Sequence, residues 1–289
     1  MLWFVLALGS ALFQVLRNMV MKRLGHALDE TINVWGRFTF ILPFAALGLW
    51  AEGMPTLRPG VWLYCLLFAL TQIIGTQFLA MALKVAEISL VTALWKLSVI
   101  LLVVWGFLAL GERPSALGVA GVIVSVGGVY LINVSRARVS LLAPIVALVR
   151  DPGQRYTLGA ALFYAPSVVF IKQIALHSSS SFAVFAGYLF CSVIITPFAV
   201  YRSARHFRQI GPYWLSFVGL GAFAAASTLL GTRAYTLTVS SYVEAVKQVE
   251  LLIALVIGAV VFREGAKIRT IWLGCVVMLL GIVMVVLGT

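Results

Sequence analysis

Residues 99–134 read VILLVVWGFLALGERPSALGVAGVIVSVGGVYLINV, two long apolar runs joined by the short polar break Gly111-Glu112-Arg113-Pro114-Ser115. A hydrocarbon core of about 30 Å needs about 20 apolar residues per helix. Each run, followed out to its nearest break, supplies that length, so the stretch reads as a membrane helical hairpin. Gly106 stands six residues before Glu112, and the following run carries Gly121 and Gly128. Residues 251–286, LLIALVIGAVVFREGAKIRTIWLGCVVMLLGIVMVV, repeat the pattern: Gly258 stands six before Glu264, and Gly274 and Gly281 follow.

The repeat continues upstream. Ala11-Leu12-Phe13 followed by Lys22 recurs as Ala161-Leu162-Phe163 followed by Lys172, and Pro43-Phe44-Ala45 recurs as Pro197-Phe198-Ala199. Matches in the same order along the chain indicate two copies of one unit. Breaks of glycine, proline or charge divide the sequence into ten apolar runs near 2–21, 32–51, 60–82, 88–110, 115–134, 156–176, 182–201, 212–236, 241–262 and 268–288. An odd number of spans per copy forces the copies into opposite orientations, the inverted-repeat arrangement of many transporters. The expected fold is an all-α membrane protein of ten transmembrane helices in two inverted five-helix repeats. The first repeat is placed at 1–134, a connecting segment at 135–155 and the second repeat at 156–289. Within the connection, Leu141–Val149 between Arg138 and Arg150 suits a short interfacial helix. The run Leu2–Met21 lacks a basic leader and a clear cleavage site, and the repeat requires it, so it reads as a span and not a signal peptide.

Composition agrees. Of 289 residues 62% are hydrophobic and 10% charged, against roughly a quarter charged in a soluble domain. So few charges cannot cover a water-facing surface. The net charge of +12 sits mainly in the breaks, where it orients loops rather than binding nucleic acid. Lys22, Arg23, Lys84, Arg136, Arg138, Arg150, Arg155, Arg202, Arg205, Arg208, Arg263, Lys267 and Arg269 fall in odd-numbered loops, while Arg58, Arg113 and Arg233 fall in even-numbered ones. Odd loops are therefore expected in the cytoplasm and both termini outside, in a plasma membrane such as the bacterial inner membrane. Cys65, Cys191 and Cys275 stand singly in apolar runs, without metal-ligand spacing. No phosphate-binding glycine loop and no metal or triad pattern around His26, His177 and His206 is present, so no cofactor and no enzymatic activity is expected.

The motifs Leu110-Gly111-Glu112-Arg113 and Phe262-Arg263-Glu264-Gly265, each leading into a glycine-rich span, resemble the drug/metabolite transporter superfamily, in particular its EamA-like ten-helix group. The resemblance covers nearly the whole chain in layout. It implies a central cavity lined by spans one, three, four, six, eight and nine, with spans five and ten peripheral. Members commonly carry proline in the first half of spans four and nine, where this chain has Ser98 and Glu250 and adds Lys96 and Lys247. Relatives with lysines in these spans, such as the sugar-phosphate and nucleotide-sugar translocators, move anionic metabolites.

A charge inside a span costs about 2.5–3.5 kcal/mol on insertion scales, so each needs a reason. Lys96 lies deep in span four and Lys247 in the matching part of span nine. The repeat shift of 152 sets Lys96 opposite Gln248, so matching the two lysines takes a one-residue slip. Glu244, Lys247 and Gln248 share a helix face, and Glu250 lies three residues beyond Lys247. Either glutamate can neutralise Lys247 as a structural pair, or exchange a proton while the lysine holds an anionic group. The expected substrate-binding set is Lys96, Lys247, Glu244, Gln248, Trp95, Gln72, Gln77 and Tyr164, with Glu244 and Glu250 as proton-coupling candidates. Trp95 and Tyr164 can stack on a ring or simply belong to the interface belt. Glu112 and Glu264 read as caps on the helices that follow them. Lys172 and Gln173, with Arg17 and Asn18, read as snorkelling groups.

The expected function is secondary active transport of a small polar metabolite, anionic ones included, or an amino-acid-like solute, by alternating access. A lipid-linked sugar flippase of the same fold is the alternative, and a channel or intramembrane enzyme fits the scattered polar residues less well. Expected partners are the small-molecule substrate and membrane lipids, not nucleic acid, for a monomer or homodimer.

Overall fold

A computed structural model of the chain describes residues 1–25, 28–85, 91, 94–137, 151–253 and 268–289. Among the described residues the elements are α1 (Leu2–Gly25), α2 (Glu30–Thr39), α3 (Leu42–Glu52), α4 (Val61–Val85), α5 (Leu97–Leu110), α6 (Ala116–Ala137), α7 (Pro152–Leu176), α8 (Ser180–Ser203), the 3-10 segment η1 (Ala204–Tyr213), α9 (Trp214–Leu237), α10 (Ser240–Lys247) and α11 (Ile268–Leu287). Lipid offers the backbone no hydrogen bonds, which is why apolar runs of this length fold as helices. Seven described segments are long and apolar enough to cross a membrane, and Leu97–Leu110 and Trp272–Leu287 are shorter apolar helices. The expected ninth run begins as α10 and is described as far as Ile253; its remainder and the expected helix at Leu141–Val149 lie outside the described residues. Span two is interrupted at Phe40 and Ile41, just before Pro43, which sits in the first turn of α3 where its missing N–H costs nothing.

The helices form two compact units, Met1–Ile73 with Phe170–Leu237, and Ile74–Val169 with Thr238–Thr289. Each unit draws segments from both sequence copies. In the first, α1 lies along α9: the Ser10 hydroxyl donates to the Ser227 carbonyl at 2.8 Å and the Ser227 hydroxyl donates to the Ser10 carbonyl at 2.9 Å. Such reciprocal bonds between small residues are the glue of helices whose surroundings supply no hydrophobic drive. Trp35 Nε1 donates to Thr196 Oγ1 at 3.0 Å, tying α2 to α8. The first unit is closed at one end by Leu24, Leu28, Ile32, Phe217 and Leu220, with Phe207 and Ile210 of η1 packed against them.

Asp29 fixes the start of α2. It accepts the Thr31 N–H at 3.0 Å and the Ser203 hydroxyl at 2.7 Å. Burial raises its pKa, but the Ser203 and Thr31 hydrogen bonds and the nearby His206 outweigh that and hold it below the ordinary 3.8. Asp29→Ala is expected to cost about 1 kcal/mol, the usual worth of such a cap. Because the folded pKa is the lower one, this contribution is complete above the unfolded value and fades as pH falls through the folded one. Unfolding of both proteins followed at pH 7 and pH 3 checks it, the gap between them narrowing at the lower pH.

In the second unit the later half of α4 meets the earlier half of α7. Phe78 stacks on Phe163 at 5.9 Å, and a Cβ at Gly75 would come within 3.4 Å of Phe163 Cβ. The first span thus packs on the eighth and the third on the sixth, pairs that the sequence repeat makes equivalent. The seam between α6 and α11 carries the same signature. A Cβ at Gly121 would lie 2.7 Å from the Gly281 carbonyl, and one at Gly274 would lie 2.9 Å from the Gly128 carbonyl. Exchanging Gly121 with Gly274 and Gly128 with Gly281, as the repeat does, turns the first contact into the second. Two helices touching in this crossed order run antiparallel, as matching helices of an inverted repeat must.

Candidate functional site

Spans four and nine both lose regular helix geometry at their charged residues. Lys96 is a turn residue immediately before α5, and the Val99 N–H reaches back to the Lys96 carbonyl at 3.1 Å, a three-residue step. In span nine α10 ends at Lys247 and helix resumes at Glu250. Between them the Gln248 N–H bonds Ala245 O at 3.2 Å, Val249 N–H bonds Val246 O at 3.1 Å and Leu251 N–H bonds Gln248 O at 3.0 Å, all again three-residue steps. A tightened stretch within a helix often marks a functional hinge. The family proline that would explain such breaks is missing at both places. The breaks instead fall at Lys96 and Gln248, the pair that the repeat shift of 152 sets opposite one another. Backbone equivalence therefore follows the strict shift, and Lys247 is one residue off it.

Two ion pairs occupy the breaks. Lys96 Nζ donates to Glu250 Oε1 at 2.7 Å, and Lys247 Nζ donates to Glu244 Oε1 at 2.6 Å. All four residues are buried, between 5% and 7% exposed. Lys96 also stands 5.2 Å from the centre of the Trp95 ring, and Trp95 meets Tyr164 edge-on at 5.3 Å. The cation is thus held by a carboxylate and a ring face together. Gln248 is fully buried; its Oε1 accepts the Ser125 hydroxyl at 3.0 Å, while its Nε2 finds no acceptor among the described residues. A buried amide N–H left unbonded costs about 1–3 kcal/mol, which makes it a ready donor for an incoming group. Of the expected residues, Gln77 is half-buried on the part of α4 in this second unit. Gln72, 6% exposed, lies on the part of α4 in the first unit.

Of the other polar residues, Lys172 and Glu112 settle differently from the sequence reading, and Arg233 is exposed. Lys172 is buried at 7% exposure instead of reaching outward to the headgroups. Arg233 faces Glu52 at 3.7 Å, with both side chains well exposed. Glu112 does not cap the helix that follows it. That helix, α6, is capped by the Ser115 hydroxyl on the Gly118 N–H at 3.0 Å. Glu112 instead accepts the Ser240 N–H at 3.0 Å and the Ser240 hydroxyl at 2.7 Å, at the start of α10. Glu264 lies outside the described residues.

Residues 1–134 and 152–287 each match the EamA-like transporter family, so the match falls twice and spans both repeats. The chain belongs to the EamA-like transporter family. Membership shows a multi-pass membrane protein built from two repeats, and the family is one of transporters. One solved crystal structure of a protein aligns with 99% of this EamA-like chain and 97% of its own at a TM-score of 0.75 and 18% identity, a likeness of fold alone. No curated protein matches the sequence.

Proposed function

We propose that this EamA-like protein is a ten-span secondary transporter for a small solute carrying both a carboxylate and an ammonium group, amino-acid-like in its chemistry. Alternating access moves it across a plasma membrane in which both termini face outward. The observation behind this reading is that Lys96 and Lys247 each already have a carboxylate within 2.7 Å. Two lysines and two glutamates leave the cluster neutral. A purely anionic solute entering it would add an uncompensated charge in a low-dielectric site, whereas a zwitterion exchanges partners and leaves the sum at zero. Its carboxylate takes a lysine and the free Gln248 Nε2, and its ammonium takes the carboxylate thereby released. Trp95 and Tyr164 cover the apolar part, and Gln77 contributes a polar contact from span three. Glu244 and Glu250 are the groups able to carry a proton if transport is coupled to one.

The test is uptake into liposomes holding the purified protein, with panels of anionic, zwitterionic and cationic metabolites. Saturable uptake confined to zwitterions is expected. Lys96→Ala and Lys247→Ala should each lower it by about tenfold or more, the loss of one charged hydrogen bond of roughly 1.5 kcal/mol or above. Uptake undiminished in both variants, or confined to anions, would sink the reading.

A further inference from the structure

We infer that Glu112 is a positioning residue for the Glu244–Lys247 pair, a latch that holds the short segment α10 in place while the break at Gln248 and Val249 serves as its hinge. The transport meaning of this latch rests on the proposed role of that pair. The latch itself rests on geometry.

All eight residues of α10 are buried, and it carries Glu244 and Lys247 on one face. At its far end the hydrogen bonding tightens over Gln248 and Val249 before helix resumes. At its near end it lacks a side-chain cap of its own, because Val239 occupies the capping position. The orphan N–H groups of that first turn need an acceptor, and the chain supplies one from a distant loop. Glu112 takes the Ser240 N–H with both oxygens, at 3.0 and 3.1 Å, and the Ser240 hydroxyl at 2.7 Å. Its charge also suits the positive end of the helix.

A second tie lies beside the first. The Ser115 N–H donates to the Tyr242 hydroxyl at 2.9 Å, and Tyr242 is 2% exposed against Gly118. The turn 111–115 is shaped for this. Gly111 ends α5 with φ +65°, a left-handed conformation that turns the chain at once towards Glu112. At Gly106 a Cβ would collide with Glu112 Oε2. The six-residue spacing of Gly106 and Glu112 thus has a physical cause: the glycine opens the space that the carboxylate crosses to reach α10. With one end tied and the other hinged, the position of Glu244 and Lys247 depends on the latch.

Amide hydrogen exchange on the full chain in lipid nanodiscs tests this without any transport substrate, so its failure is separable from failure of the transport assay. Glu112→Ala is expected to speed exchange over residues 240–249 by roughly tenfold or more, with α6 and α11 unchanged. Glu112→Gln keeps an acceptor but loses the charge, and should fall between Ala and wild type. It also carries the test should the alanine variant not accumulate. Exchange over 240–249 unaltered in both variants would overturn the inference. So would acceleration spread equally through α6 and α11, which would make Glu112 a general support of the fold.

Discussion

Glu250→Ala is expected to destabilise the folded protein by about 3–5 kcal/mol, the usual cost of stranding one member of a buried ion pair. Lys96 and Glu250 are 6% and 7% exposed, and their charged atoms are 2.7 Å apart. Removing the carboxylate leaves an ammonium beside the Trp95 ring, 5.2 Å from its centre, and in the field of Glu244, which Lys247 already holds. A ring face is worth about 2 kcal/mol to a desolvated cation, less than the burial penalty it would have to offset. The lysine must then lose its proton or draw water into the break. Replacing both partners by apolar residues of similar size, Lys96→Met with Glu250→Leu, removes the stranded charge. That double variant should recover most of the stability while uptake stays lost. The double-mutant cycle is read from denaturant unfolding in detergent alongside uptake in liposomes. A single-variant cost under about 1 kcal/mol with additive effects would show the pair to be loosely held or wet.

The same pair shows where sequence reading stops. Glu244 and Glu250 stand three residues to either side of Lys247, so helical spacing offers both as its partner with equal force. What separates them is Lys96, 154 residues away from Glu250, which only the fold brings into contact. The breaks in spans four and nine were equally hidden. Without the family proline, nothing local marks them, and the chemical likeness of Lys96 and Lys247 suggests a slip in the repeat that the backbone does not make. The repeat itself was legible because its glycines answer to close helix contacts that the two copies share, although its prolines do not match in setting, Pro43 opening α3 and Pro197 standing inside the unbroken α8. Gly121 and Gly128 repeat for reasons of contact, and those contacts recur between α6 and α11. Glu112 reads correctly as a helix cap by type. The helix it caps is 128 residues further along the chain, and a spacing rule can only look at the next one.

Gly128→Ala is expected to be the most disruptive single methyl in the second unit, and its neighbour supplies the control. A Cβ at Gly128 would lie 2.5 Å from the Met278 Cα, with the Met278 N–H closer still. Backbone atoms of a helix cannot rotate aside as a side-chain tip can, so α6 and α11 must separate. Small residues at such crossings exist to let two backbones approach, and overfilling one costs about 1–3 kcal/mol or more. Separation here also pulls apart Gly121 from Gly281 and Gly274 from Ile132, each within 2.7 Å of a would-be Cβ contact. The loss should therefore sit at or above the upper end of that range. Gly127, one residue earlier on the same helix, has no described residue within 4 Å of its would-be Cβ. Gly127→Ala should be neutral or gain up to about 1 kcal/mol, as alanine is the better helix former. Gly281→Ala, the repeat equivalent of Gly128, meets Ser125 Cα at 2.6 Å and should match the Gly128 variant and not the Gly127 one. Thermal unfolding of the three variants in one detergent decides it. Equal tolerance at 127 and 128 would mean the seam is looser than its glycines require, and the crossed contacts that relate the two repeats would lose their structural weight.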